Sequence, residues 1–226
     1  MERSLLKKIG LPVLILLMSA LYIFVIPSDP EGVKMLFKLI PMALIILYAY
    51  LQPPVSGKRY HWTMLAGLAF CMMGDGLLVW FIVGLSAFLV GHLFYMTAFF
   101  GKWSFSRLRF ATIVPIAAYA SFMGNELIQA LIRDDEQALI VPVILYVAVI
   151  SLMAWSAIMS GNKLAIAGSL LFVISDSVLS WNMFVFDVSH SGIWIMTTYY
   201  AAQFLMARSL GSKPAEIAPS SSVSLR

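Results

Sequence analysis

Apolar residues dominate this chain in long runs, and most of the charged residues gather in the short segments between them. Eight runs can be delimited, at 10–26, 33–51, 62–80, 82–100, 110–127, 138–159, 164–184 and 191–207. Each is close to the roughly 20 residues that a helix needs to cross the hydrocarbon core of a bilayer. In that medium a helix satisfies every backbone polar group within its own segment. The pattern predicts an all-α, polytopic membrane protein with eight transmembrane helices and short connections, a single transmembrane domain over 1–210. No room remains for a separate soluble catalytic domain.

Two of the runs are interrupted by an acid in nearly the same local text. Gly67, Asp75, Leu78 and Trp80 recur as Gly168, Asp176, Leu179 and Trp181, since 168 − 67 and 176 − 75 both equal 101. Pro41 and Pro142, and Gly91 and Gly192, keep that offset. This predicts an internal duplication, repeat one over about 10–101 and repeat two over about 110–208. A repeat of four spans keeps its orientation, so the two halves should be parallel, related by an axis along the membrane normal. Pro41 and Pro142 are expected to kink their helices and widen a cavity.

Charge then sets the orientation. Placing alternate connections on one side collects Arg3, Lys7, Lys8, Lys58, Arg59, Lys102, Arg107, Arg109, Lys163, Arg208, Lys213 and Arg226, and leaves Lys34, Lys38 and Arg133 on the other. The positive-inside rule makes both termini cytoplasmic. The composition agrees with burial in lipid: 61% of the 226 residues are hydrophobic and 12% charged, against about 25% charged in soluble domains. The net charge of +4 is dispersed among loops, which argues against a nucleic-acid partner. The single cysteine, Cys71, excludes an intrachain disulfide and is read as a small packing residue. The first run lacks a convincing cleavage site and is read as a retained helix. The segment 211–226, rich in serine with two prolines, is read as a disordered cytoplasmic tail.

Asp75 and Asp176 carry the candidate chemistry. An ionisable group inside the membrane costs about 2.5 to 3.5 kcal/mol on insertion scales, more than a membrane hydrogen bond of about 0.6 kcal/mol returns, so two at matched positions read as a site. Each precedes its tryptophan by five residues, which puts it roughly 7 to 8 Å below an outer interface marked by those rings. Counting from the same face brings Lys38, His92, Tyr95, Tyr199 and Tyr200 to similar depth, with Gln203 a turn deeper. The expected arrangement is a polar pocket in which the two aspartates face one another. Close carboxylates in a low dielectric seldom both ionise, so one acid and one carboxylate would coexist. Such a pair can protonate one atom of a substrate and direct water at another. Purely structural pairing of the aspartates with Ser, Tyr or Lys is the alternative. Lys38 can snorkel to headgroups, or pair with an aspartate or a lipid phosphate, and His92 can be a helix-contact residue or a base. No metal is expected, for the three histidines form no ligand motif, and neither a Gly-x-Ser-x-Gly element nor a phosphate loop occurs. On residues alone, an enzyme and a proton-coupled transporter of a lipid or small amphipathic solute fit equally; a lipid-binding scaffold is a third reading.

The motifs GLAFCMMGD at 67–75, GHLFY at 91–95, LLFVISD at 170–176 and TTYYAAQ at 197–203 resemble those of the lysoplasmalogenase, or YhhN-like, family across all eight runs. The resemblance implies an integral membrane hydrolase that cleaves the vinyl ether of lysoplasmalogens, whether the choline or the ethanolamine form, to a fatty aldehyde and a glycerophospho-alcohol. It maps the family's two aspartates onto Asp75 and Asp176 as catalytic residues. Lys38 (with Pro41), His92, Tyr95, Tyr199, Tyr200 and Gln203 map onto its substrate-binding positions. No cofactor is implied. The partners are the lysophospholipid substrate with its vinyl ether chain, membrane lipids and water. The implied location is the endoplasmic reticulum membrane of a eukaryote or the inner membrane of a bacterium.

Overall fold

A computed structural model describes residues 9–27 and 29–212; the tail segment 213–226 lies outside the described residues. The fold is all-helical among them: α1 Leu11–Phe24, α2 Glu31–Tyr50, α3 Lys58–Leu77, α4 Phe81–Phe100, a short helix Arg107–Ala111 leading into α5 Ile113–Arg133, α6 Ile140–Ser160, α7 Lys163–Phe184 and α8 Ser191–Ser209. Five segments are long and apolar enough to cross a membrane by length and composition, namely Glu31–Tyr50, Phe81–Phe100, Arg107–Arg133, Gln137–Ser160 and Lys163–Phe184. The helix α1 is apolar but only 14 residues long. The helices α3 and α8 fall short in composition because they carry the polar groups that the bundle encloses, including Asp75, Tyr199, Tyr200 and Gln203.

The first four helices and the last four pack in the same pairwise order. Within each set the second helix lies against the first and the third, and the third lies most extensively against the fourth, α3 on α4 and α7 on α8. The sets meet where α4 packs on α6 and α8 on α2. Small residues let the backbones close. A Cβ on Gly67 would sit 3.1 Å from the Gly91 carbonyl oxygen, one on Gly91 would sit 3.1 Å from the Gly67 carbonyl oxygen, and one on Gly168 would sit 2.9 Å from that of Ala202. Such approaches are how membrane helices gain dispersion contact without a hydrophobic driving force. Met42, Ile45, Met64, Leu68, Tyr95, Phe99, Met153, Phe172 and Met206 fill the core, while Leu16, Leu17, Leu108, Val114 and Val141 face outward.

One end of the bundle is tied by polar caps. Asn162 caps α7, accepting from Leu164 N and Ala165 N at 3.0 and 3.2 Å, and donates to the Ser209 carbonyl and Ser212 Oγ at the end of α8. The Tyr60 hydroxyl in the first turn of α3 meets Ser209 Oγ at 3.3 Å. The starts of α3 and α7 therefore lie together, and both aspartates lie toward the other end. Gly161, left-handed at φ 71°, ends α6 where a side chain would be strained.

Three expectations shift in detail. The third helix runs Lys58–Leu77 rather than 62–80, since Gly57, at φ 97°, starts it early and Trp80 N turns back onto the Leu77 carbonyl at 2.9 Å. Trp80 therefore precedes α4, whereas Trp181 lies inside α7. The fifth helix reaches Arg133, beyond the 127 expected, because its buried stripe of Met123, Leu127, Ala130 and Leu131 continues under a polar outer face. Pro142 is the third residue of α6, where no intrahelical N–H bond is lost, so of the two matched prolines only Pro41 interrupts a helix interior.

Candidate functional site

Asp75, in the last turn of α3, is 3% exposed and is held from two other helices. The Tyr199 hydroxyl on α8 donates to Asp75 Oδ2 at 2.6 Å, and Lys38 Nζ on α2 lies 3.3 Å from Asp75 Oδ1 as an ion pair. Lys38 Nζ also donates to the Asp75 carbonyl at 3.3 Å. The Tyr200 hydroxyl reaches α2 in turn, donating to the Lys38 carbonyl at 2.8 Å. Pro41, inside α2, has no N–H to give the Phe37 carbonyl four residues back, so the ladder of α2 is interrupted next to Lys38. Of the fates weighed for Lys38, pairing with an aspartate is the one observed.

Asp176 occupies a different setting. The Tyr146 hydroxyl from α6 donates to Asp176 Oδ2. Both residues open onto a cavity of about 80 Å³ bounded by α4, α5, α6 and α7 together with Leu78. Its walls are mostly Leu, Phe, Val, Met and Ile, and Asp176 is the one charged residue among the described residues that line it. A second hydroxyl pair stands nearby on the wall, where the Tyr119 hydroxyl donates to Ser177 Oγ at 2.8 Å. Asp75 does not line this cavity. The two carboxyls have separate tyrosine partners, Tyr199 for Asp75 and Tyr146 for Asp176.

Between them lies a layer of rings. Phe88 packs edge-on against Tyr199 and Phe172, with centroids 6.2 and 6.5 Å apart, and its ring lies so close to Gly74 that a Cβ there would meet it at 2.6 Å. His92 packs edge-on against Phe172 at 4.6 Å and Tyr146 at 5.4 Å and is fully buried. Among the described residues neither ring nitrogen of His92 meets a hydrogen-bond partner. One turn along α4 the Tyr95 hydroxyl donates to Gln203 Oε1 at 2.7 Å, with the buried thiol of Cys71 beside both. The eight sequence-derived candidates thus divide into Lys38, Asp75, Tyr199 and Tyr200 in one network, Tyr95 and Gln203 in a second, and Asp176 with a partner outside the set. His92 sits between the last two.

Tyr146, the hydrogen-bond partner of Asp176, is the residue of this site that sequence reading missed. Depth counting followed α2, α4 and α8, and a tyrosine inside the run VPVILYVAVI reads as packing material. A usable signal existed: α6 is the second helix of the second set, as α2, which carries Lys38, is of the first. No group of three His, Cys, Asp or Glu side chains converges as a metal site among the described residues.

The arrangement suits chemistry on an amphipathic molecule, with one carboxyl at an apolar cavity and a second, ion-paired one behind it. Comparison with known proteins points the same way. The family model described as the YhhN family matches residues 33–210. Lysoplasmalogenase TMEM86B of Mus musculus is 32% identical over 204 residues, covering 88% of this chain and 85% of that protein. Lysoplasmalogenase TMEM86A of Homo sapiens is 33% identical over 204 residues, covering 80% of each chain. Lysoplasmalogenase TMEM86B of Homo sapiens is 31% identical over 194 residues, covering 84% and 80%. No solved structure matches.

Proposed function

The chain belongs to the YhhN family, and from that premise we propose that it is a membrane-embedded hydrolase of lysoplasmalogens that uses Asp75 and Asp176 as an acid and carboxylate pair. The observation that carries the reading is the pair itself, two aspartates each bonded to a tyrosine hydroxyl inside a largely apolar bundle. A vinyl ether hydrolyses by proton transfer to its β-carbon, which leaves an oxocarbenium ion. Water captures that ion, and the hemiacetal collapses to aldehyde and alcohol. A protonated aspartate supplies the proton, and the negative charge of its partner stabilises the cation. Lys38 and the tyrosines position the lysophospholipid, whose single chain enters laterally from the membrane.

The chain crosses the bilayer eight times as two parallel four-helix repeats, with both termini cytoplasmic and the transmembrane domain ending near residue 210. What supports duplication is the common offset of Gly, Asp and Trp, together with the like pairing of helices in each set. Purified protein in detergent, given lysoplasmenylethanolamine, should release fatty aldehyde with no transmembrane gradient, and Asp75→Asn and Asp176→Asn should each lower that release. Wild-type protein that stays folded yet yields no aldehyde, but takes up lipid into vesicles under a proton gradient, would replace the hydrolase with the transporter.

A further inference from the structure

Resting on that reading, we propose that the two aspartates are not interchangeable: Asp176 is the proton donor that touches the vinyl ether, Tyr146 positions it, and the apolar cavity between α4, α5, α6 and α7 holds the hydrocarbon next to the scissile bond. Asp75 acts from behind the ring layer as the fixed counter-ion of Lys38.

Three observations carry this. First, access: of the eight sequence-derived candidates, only Asp176 lines this cavity, and most of its neighbours there are hydrocarbon. Phe88, which lines the same cavity, is seated on Gly74 beside Asp75 and screens that carboxyl from the space. Second, the partners differ in kind. Asp75 faces an ammonium at 3.3 Å and completes an ion pair, so its carboxylate has a cation to neutralise. Asp176 is bonded to a hydroxyl, a partner that leaves it free to carry and return a proton. Third, Tyr146 engages Oδ2, and no described hydrogen bond occupies Oδ1, which keeps that oxygen available to a reactant.

The step balances within this set. The proton on Asp176 passes to the β-carbon of the vinyl ether, whose π electrons form the new C–H bond, and positive charge settles on the ether oxygen and its adjoining carbon. Water adds to that carbon and gives its proton to the Asp176 carboxylate, restoring the acid. Collapse of the hemiacetal breaks the carbon–oxygen bond to glycerol, moves the hydroxyl proton to the leaving oxygen and releases aldehyde. One water is consumed and nothing is oxidised or reduced.

The test compares variants by aldehyde release, solvent isotope effect and competitive inhibition by a saturated 1-O-alkyl lysophospholipid, which has no double bond to protonate and reports binding alone. Asp176→Asn should lose about a thousandfold in kcat while inhibitor binding stays within about threefold, as expected for loss of a general acid. Tyr146→Phe should lose about tenfold or more in kcat with KM nearly constant and should change the pH profile of kcat, a readout that a packing role would not move. Asp75→Asn should lose about tenfold and keep the wild-type isotope effect. Val147→Phe, which fills the cavity wall, should weaken the inhibitor, and more so as its alkyl chain lengthens. The division of labour is overturned if Asp75→Asn, still binding inhibitor, falls as far as Asp176→Asn, or if Val147→Phe leaves inhibitor affinity untouched at every chain length. Both results are readable only where wild-type protein releases aldehyde, so failure of the underlying hydrolase reading shows itself separately.

Discussion

Removing the charge of Lys38 tests the polar network at its most loaded bond. Its Nζ stands 3.3 Å from Asp75 Oδ1, with side chains 16% and 4% exposed, so the pair is largely out of solvent. At that separation and an effective dielectric of about 20, the attraction is about 5 kcal/mol before the cost of desolvation is set against it. Breaking a buried pair by taking one partner away costs about 3 to 5 kcal/mol, because an uncompensated charge remains. We expect Lys38→Met alone to destabilise by about 3 kcal/mol, taking the low end because Lys38 keeps some exposure. Asp75→Asn alone should cost a similar amount, since it strands the ammonium. The double variant should cost only about 1 kcal/mol: Met preserves the packing of the Lys stem, and the amide oxygen that Asp75→Asn introduces still accepts from Tyr199. The assay is a double-mutant cycle in detergent–lipid micelles, unfolded with a denaturing detergent and followed by tryptophan fluorescence. A coupling energy of about 5 kcal/mol, the two single costs less that of the double variant, is the expected result. Single variants whose costs simply add, leaving a coupling below about 0.5 kcal/mol, would refute the view of Asp75 as the counter-ion of Lys38.

Other consequences can be checked with single changes. Tyr199→Phe removes the 2.6 Å donor to Asp75 and should cost about 1.5 to 3 kcal/mol in the same unfolding assay, the range for bonds to charged groups. Gly168→Ala would put a Cβ 2.9 Å from the backbone oxygen of Ala202, which cannot yield as a side chain can, so a loss of about 1 to 3 kcal/mol is expected. Gly192→Ala meets nothing within 4 Å and should be neutral or slightly stabilising, although Gly192 and Gly91 share the offset of 101. Because Cys71 is fully buried, single cysteines can be read against a silent background. One at Asp135 should label with an impermeant maleimide supplied to the non-cytoplasmic face, and one at Lys102 only with the reagent on the cytoplasmic face.

What was legible in the sequence, and what was not, follows from which signals are local. Helix number and order came from apolar runs. Helix ends did not, because α5 continues as a one-sided stripe that a plain hydrophobicity window discards, and α3 ends in a turn at Leu78–Trp80 that the same window reads as helix. The network around Asp75 was within reach, since depth counting placed Lys38 and Tyr199 level with the acid. Asp176 was found, but its partner was not, and the reason lies in the repeat text itself. At the offset of 101 the two acids match, whereas Lys38 corresponds to Leu139, Tyr146 to Ile45 and Tyr199 to Ala98. Every polar group that bonds to a carboxyl is present on one side of the correspondence and replaced by hydrocarbon on the other. Matching text therefore sets two carboxyls at comparable places on comparable helices, and unmatched partners give one an ammonium and the other a hydroxyl at an apolar cavity. Pattern repetition reveals where the acids are. The asymmetry that would let one of them hold charge while the other moves a proton resides in residues that the repetition does not contain, and only the packing of α2 on α3, α8 on α2 and α6 on α7 brings them to the acids.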